Sequence, residues 1–319
     1  MEQNVNTGAN LDRLLRVSSS PHVRSSETVR RIMLDVIIAL IPAAAVGIYF
    51  FGLNAALVLA IAVVSAVVAE AVFQKARHQD ITISDLSAVV TGLLVGMNIP
   101  ASAPWYLPAF GSIFAIIIAK QLFGGLGFNW VNPALAARAV LLISWPAQMT
   151  NFVAPLSDAT SAATPLSSGQ FPALMDMFIG NMPGTIGEVS AAALLLGGLY
   201  LVIRGVIKVH IPLIYIALTA GFLLLFGAPV DQLLYQILAG GLFLGAIFMA
   251  TDYASSPLTV KGQIIFAVGA AFMTALIRRH GGMPEGVSYA ILLMNVATPM
   301  IDKFTKPNVF GSVKHERKH

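Results

Sequence analysis

Long apolar runs fill this chain, and short clusters of polar residues, prolines and glycines separate them. A helix needs about 20 apolar residues to cross the hydrocarbon core of a bilayer. Ten segments qualify as candidates: 33–51, which follows Arg30-Arg31; 55–73; 84–100, opened by the cap-like Ser84-Asp85; 107–119; 132–144; 189–207; 211–226; 231–250; 262–277; and 287–301. The fourth, fifth and tenth are short. Short or broken spans in such bundles tend to surround a binding site rather than face lipid.

Composition makes the membrane reading firm. Of 319 residues, 57% are hydrophobic and 11% charged, against about 25% charged in soluble domains, and mean hydropathy is +0.79. Such a chain cannot clothe a globular surface, so the expected fold is an all-α polytopic membrane protein. There is no cysteine, which excludes disulfides, zinc–thiolate sites and iron–sulfur ligation by this chain. Any redox role must then use an organic cofactor or a partner protein. The polar start, with Arg13, Arg16 and Arg24, has no apolar core, and no cleavable signal peptide is expected. Neither a Gly-x-Gly-x-x-Gly turn after a strand nor a P-loop is present, so the chain should not bind a dinucleotide itself. No nucleic-acid partner is expected.

Charge orients the bundle. With 1–30 as a cytoplasmic tail, every second loop falls inside, and those loops carry Lys75, Arg77, Lys120, Arg204, Lys208 and Lys261. A second cytoplasmic tail at 302–319 adds five more cations. Of 19 Lys and Arg, all but Arg138, Arg278 and Arg279 sit on that side, as the positive-inside rule requires. Segment 146–188 has no Lys or Arg and lands outside the cytoplasm. It divides a first five-helix unit, 31–145, from a second, 189–301. The units echo each other: "AKQLFGGLGFNWVNPALAARAVLL" leads into the fifth span and "ALIRRHGGMPEGVSYAILLMNVATPM" into the tenth. An odd number of spans per unit makes the repeats inverted, a transporter-like architecture with its site near the interface of the halves.

Three groups of residues offer chemistry. In "SDATSAATPL", residues 157–166, composition alone describes a loop. The spacing Asp158-x-x-Ser161-x-Ala163-Thr164, however, resembles the acceptor motif for covalent flavin mononucleotide (FMN), which a flavin transferase esterifies to the threonine. The acceptor must enter another enzyme's site, so an exposed hydroxyl among small neighbours is expected, and Pro165 keeps Thr164 out of a helix. Thr160 has no acidic residue in register and reads as a spacer. In "GGLGFNWVNPALAARA", Asn132 is a natural N-cap with Pro133 at the first helical position. Arg138 lies inside the fifth span, where a charge must face the bundle interior and find a partner. Asp252 and Asp85 are the nearest candidates by depth, in a structural ion pair or near a flavin or ion path. Asp252 itself reads as a helix-end cap. Arg278-Arg279-His280 could contact a flavin phosphate, but the simpler reading is an interfacial snorkelling cluster. Trp105-Tyr106 suits an interfacial aromatic belt.

Four ordered blocks, "SSPHVRSSETVRRIMLDVIIALIP", "GGLGFNWVNPALAARAVL", "DATSAATPL" and "FMATDYASSP", resemble the family of the D subunit of Rnf electron-transport complexes, shared with the B subunit of sodium-pumping NADH–quinone oxidoreductases. The resemblance runs over 19–301, and the short N-terminal tail is similar to the Rnf form. It implies ten helices in urea-transporter-like inverted repeats, covalent FMN on the extracytoplasmic side at Thr164, and a second, non-covalent riboflavin, with Asn129 and Asn132 near it. It implies partners too: the other Rnf subunits, a flavin transferase for maturation, and the bacterial cytoplasmic (inner) membrane. The complex would couple electron flow between ferredoxin and NAD to translocation of sodium ions or protons, with this chain as one component rather than an independent catalyst. The alternative is an inverted-repeat solute channel or transporter without a redox role.

Overall fold

The computed structural model describes residues 27–157, 161–281 and 286–306. Asp158 and Thr160, and most of the two tails, lie outside the described residues. The first two expected spans form one helical run, α1 (Val29–Ala76), with Thr28 as N-cap and a single non-helical residue, Gly52, at φ 68° and ψ −155°. A straight helix of 48 residues would be about 72 Å long, more than twice the roughly 30 Å of a hydrocarbon core. The break at Gly52 divides it into two bilayer-sized pieces, and left-handed φ is open to glycine at little cost.

The third expected span begins three residues late, because Asp85 Oδ1 accepts from Ser87 N at 2.8 Å and Ser87 Oγ at 2.7 Å. That cap starts α2 (Ser87–Met97). Helix α3 (Tyr106–Phe114) continues as a π-helical stretch to Lys120 and a 3₁₀ turn, Gln121–Phe123. Gly124, Gly125 and Gly127, all at positive φ, turn the chain into α4 (Pro133–Ser144). The connecting segment holds α5 (Pro146–Met149), a two-residue antiparallel ladder of β1 (Phe152–Val153) with β2 (Ser161–Ala162), then α6 (Pro165–Ser168) and α7 (Leu174–Ile179). Then come α8 (Ala191–Ile203), α9 (His210–Leu225), α10 (Leu233–Leu238), α11 (Leu242–Leu244, π-helical to Met249), α12 (Val260–His280) and α13 (Val287–Thr305).

The eighth expected span, 231–250, is not continuous. It breaks at 239–241, where Gly240 has φ 71°, and its two pieces meet at 61°. Among the described residues, three helices are long and apolar enough to cross a membrane, or four if the bent pair counts as one. Shorter apolar helices, α2, α4, α8 and α9, pack among them. The protein is thus a helical membrane protein. Ile41, Leu53, Val64 and Val72 stand exposed along α1, the surface expected of lipid-facing helices.

The main core runs through both halves, with alanine its commonest residue, and buried glycines such as Gly47, Gly92, Gly96 and Gly197 let helices approach closely. The tightest approach is α8 on α1: a Cβ built at Gly197 would lie 2.1 Å from the Ala39 carbonyl oxygen. Gly197→Ala is therefore expected to cost about 1–3 kcal/mol through forced separation of the two helices. Gly221→Ala on α9, which meets nothing within 4 Å, should be neutral or stabilising. Thermal unfolding in detergent checks this, with a lowered midpoint for the first variant only.

Candidate functional site

The start of α4 organises a polar pocket. Asn132 caps the helix as its sequence context predicts: Oδ1 accepts from Ala134 N at 3.0 Å and Leu135 N at 3.2 Å. The rest of the residue ties the halves together. Its Nδ2 donates to the Met249 carbonyl at 3.3 Å, and its backbone N–H donates to Asn295 Oδ1 at 3.1 Å. Asn295 in turn donates to the Ser255 carbonyl at 3.0 Å. Asn129 donates to the Val131 carbonyl at 3.1 Å and to Asp252 Oδ2 at 3.3 Å, an oxygen that also accepts from Ser255 Oγ at 2.8 Å. Asp252 thus caps its own turn, and burial pushes its carboxyl up against the lowering effect of the bonds from Ser255, Ala254 N–H and Asn129. Asn129, Asn132 and Asp252 line a cavity of about 100 Å³, open at its mouth, whose other walls include Ser87, Lys120, Leu94 and Phe248. A pocket with amide and carboxyl groups among apolar walls is the kind of place a small organic ligand occupies.

Arg138 is buried as expected, but with different partners. Its guanidinium donates to Asn98 Oδ1 at 2.6 Å and faces Glu188 Oε2 at 3.8 Å. Asp85 instead accepts from the first residue of α2, and Asp252 holds its own turn. Glu188 is held from its other oxygen by Thr185 N–H at 2.9 Å, in a stretch whose Gly187 N–H donates to the Met97 carbonyl at 2.8 Å. Sequence reasoning missed Glu188. The available signal was charge: it is an acid at the threshold of the sixth span, in a segment with no Lys or Arg of its own to pair with it.

Lys120 is also not the loop cation its position suggests. Its side chain is 2% exposed and that of Glu70 1%, with Nζ 2.9 and 3.0 Å from the two carboxylate oxygens and 2.6 Å from Ser87 Oγ. Gln121 Nε2 also donates to Glu70, at 2.8 Å. An acid within the second apolar run was the legible sign of a buried partner.

Thr164 has extended backbone, φ −66° and ψ 153°, immediately before α6. The expected exposed hydroxyl is not what the fold presents: the residue is 6% exposed. Ser167 gives its hydrogen to the Thr164 carbonyl at 2.9 Å, so Thr164 Oγ1 is the donor in the 3.0 Å contact with Ser167 Oγ. Ser167 itself is exposed, so the hydroxyl lies one side chain below the surface. The residues on either side of the threonine, Ala163 and Pro165, border an open cleft of about 740 Å³ with Phe171 and Pro183. The Phe171 ring is tilted 35° against Tyr235 of α10 at 5.3 Å.

Arg278 departs from the snorkelling expectation. Nη1 donates to the Gln236 carbonyl and Nη2 to the Ala239 carbonyl at 3.2 Å, at the C-terminal end of α10. Arg279 is exposed and reaches the Phe226 carbonyl at 3.2 Å, in keeping with an interfacial position.

Comparison with known proteins supplies the lineage. The model of the NQR2, RnfD, RnfE family matches residues 16–311. The chain is 53% identical over 309 residues to the D subunit of the Na(+)-translocating ferredoxin:NAD(+) oxidoreductase complex of Acetobacterium woodii, covering 94% of this chain and 96% of that one. It is 46% identical over 326 residues to the D subunit of the proton-translocating ferredoxin:NAD(+) oxidoreductase complex of Clostridium ljungdahlii (94% and 97% covered). The D subunit of the ion-translocating oxidoreductase complex of Escherichia fergusonii is 38% identical over 355 residues (94% and 99%). A family match over nearly the whole chain, with relatives aligned end to end, leaves one conclusion: this protein belongs to the NQR2, RnfD, RnfE family.

Proposed function

We propose that the chain is the membrane-embedded D subunit of an Rnf-type complex, carrying electrons through an FMN esterified to Thr164 and coupling ferredoxin/NAD electron transfer to translocation of sodium ions or protons. The observation that carries the reading is end-to-end similarity to relatives named as D subunits of ion-translocating ferredoxin:NAD(+) oxidoreductase complexes. Two of them, at 53% and 46% identity, are named for different ions, so overall similarity does not choose the ion. In this reading the two five-helix units are inverted repeats in the bacterial cytoplasmic membrane. Both termini are cytoplasmic, the Thr164 segment is extracytoplasmic, and a flavin transferase and the other Rnf subunits are the partners.

The residues fit a flavin at two places. Thr164 supplies the ester oxygen, with Asp158, Ser161 and Ala163 in the register a transferase would recognise. Its burial means that the Ser167 contact must open for esterification, at about 1 kcal/mol for one hydrogen bond. The second place is the cavity of Asn129, Asn132 and Asp252, which would take a non-covalent riboflavin. Asn132 builds the wall there, while the side-chain carbonyl oxygen of Asn129 has no hydrogen bond among the described residues and would meet the ring edge. Flavins bound at these places supply electron acceptance and release; the chain contributes position, electrostatics and exclusion of water. Asn129→Leu is expected to remove the flavin that extracts on denaturation and to leave the covalent fraction intact. Flavin released into solution, measured per mole of protein, checks this, and unchanged release would overturn the second assignment.

A further inference from the structure

The cations that the positive-inside count leaves over are Arg138, Arg278 and Arg279, and the fold brings two of them to one place. That place is the break at 239–241 in the bent span. A Cβ built at Gly241 would lie 3.2 Å from Glu188 Oε2 and 3.7 Å from Arg138 Nη1. One built at Gly240 would lie 3.2 Å from Arg278 Nη2 and 2.8 Å from Leu166 Cδ1. Leu166 is two residues beyond Thr164. A second contact, Phe171 on Tyr235, fastens the same segment to α10. The threonine's segment therefore docks on the break, with the Arg278 guanidinium at the junction. The two carbonyls that Arg278 holds, those of Gln236 and Ala239, keep the fork fixed and belong to a helix C-terminus, where a cation is favoured.

We infer that Arg278 is a positioning residue for the flavin on Thr164: its fixed positive charge sets that flavin's reduction potential. The inference rests on the proposed attachment at Thr164. An electron taken up without a proton adds one negative charge to a flavin held at Thr164, and a cation at this partly buried junction is screened less than it would be at the surface. Reduction is then easier with Arg278 present than without it.

The test is the midpoint potential of the covalent flavin, read by its visible spectrum during titration of the purified protein co-produced with a flavin transferase. Arg278→Gln is expected to shift the midpoint to a more negative value. Arg278→Lys should restore it, and Arg279→Gln, on the exposed neighbour, should leave it alone. A second pair guards against a misfolded Arg278 variant: Leu166→Glu should shift the midpoint negative relative to Leu166→Gln, which differs by one charge at the same junction. An unchanged midpoint in Arg278→Gln, a shift in Arg278→Lys as large as in Arg278→Gln, or equal midpoints in the Leu166 pair would each overturn the inference while flavin is still attached. A wild-type protein with no covalent flavin would overturn the attachment itself, and the inference with it.

Discussion

Thr164→Val is expected to abolish covalently bound flavin, while Thr160→Val leaves it in place. Valine has nearly the shape of threonine and no hydroxyl, so it removes the ester oxygen while filling the same buried volume. The loss to the fold is the 3.0 Å contact with Ser167, worth about 1 kcal/mol, too little to explain a missing cofactor by unfolding. Thr160 makes the comparison sharp, because it stands four residues away with the same preceding alanine and no acidic residue in register. The measurement is flavin fluorescence of the protein band after denaturing electrophoresis, in cells that also produce a flavin transferase. Fluorescence at the wild-type level in Thr164→Val would move the attachment elsewhere. No fluorescence in any variant, wild type included, would favour the solute-channel alternative. Ser167→Ala is the informative companion: freeing the Thr164 hydroxyl should preserve or speed attachment.

The second large effect is on stability. Lys120→Met is expected to cost about 3–5 kcal/mol, the range for breaking a buried ion pair by removing one partner. Glu70, at 1% side-chain exposure, would lose its cation and be left with Gln121 and Gln74 as donors. The double variant Lys120→Met/Glu70→Leu removes both charges and should recover most of the loss, because the stranded carboxylate, rather than the absent attraction, dominates the single variant. Thermal unfolding in detergent separates the outcomes. A single variant that melts with the wild type, or a double variant that melts below the single, would contradict the geometry of the pair.

What the sequence made legible follows from what each signal encodes. Apolar run length locates helices, because lipid demands it, and each expected span has a helix within it. Local capping was legible as well: Asn132 and Pro133 start α4 through contacts within three residues of sequence. Breaks were less legible. Gly52 fell in the gap between two expected spans, whereas Gly240 lay inside an expected span, with Gln236 four residues before it and Gly241 after it, and the 61° bend went unforeseen. Pairings across the bundle were the hardest. Arg138 was recognised as needing a partner, but depth along the membrane normal leaves lateral position open, and Glu188 on the incoming segment won over two aspartates that cap their own turns. Lys120 was counted as a loop charge because it adjoins a Gly-Gly turn. The π-helical end of α3 carries it inward to Glu70 instead. The Thr164 assignment is of another kind: it came from a spacing that resembles a flavin-acceptor motif, which the fold does not need and therefore does not advertise.

The most direct measurement is tandem mass spectrometry of the peptide spanning 146–188, from wild-type protein produced together with a flavin transferase. One FMN is expected, lost as a phosphoester fragment and localised to Thr164, with Thr160 and Ser161 unmodified. A peptide wholly unmodified under those conditions, or one carrying the flavin on a different residue, would refute the attachment at Thr164.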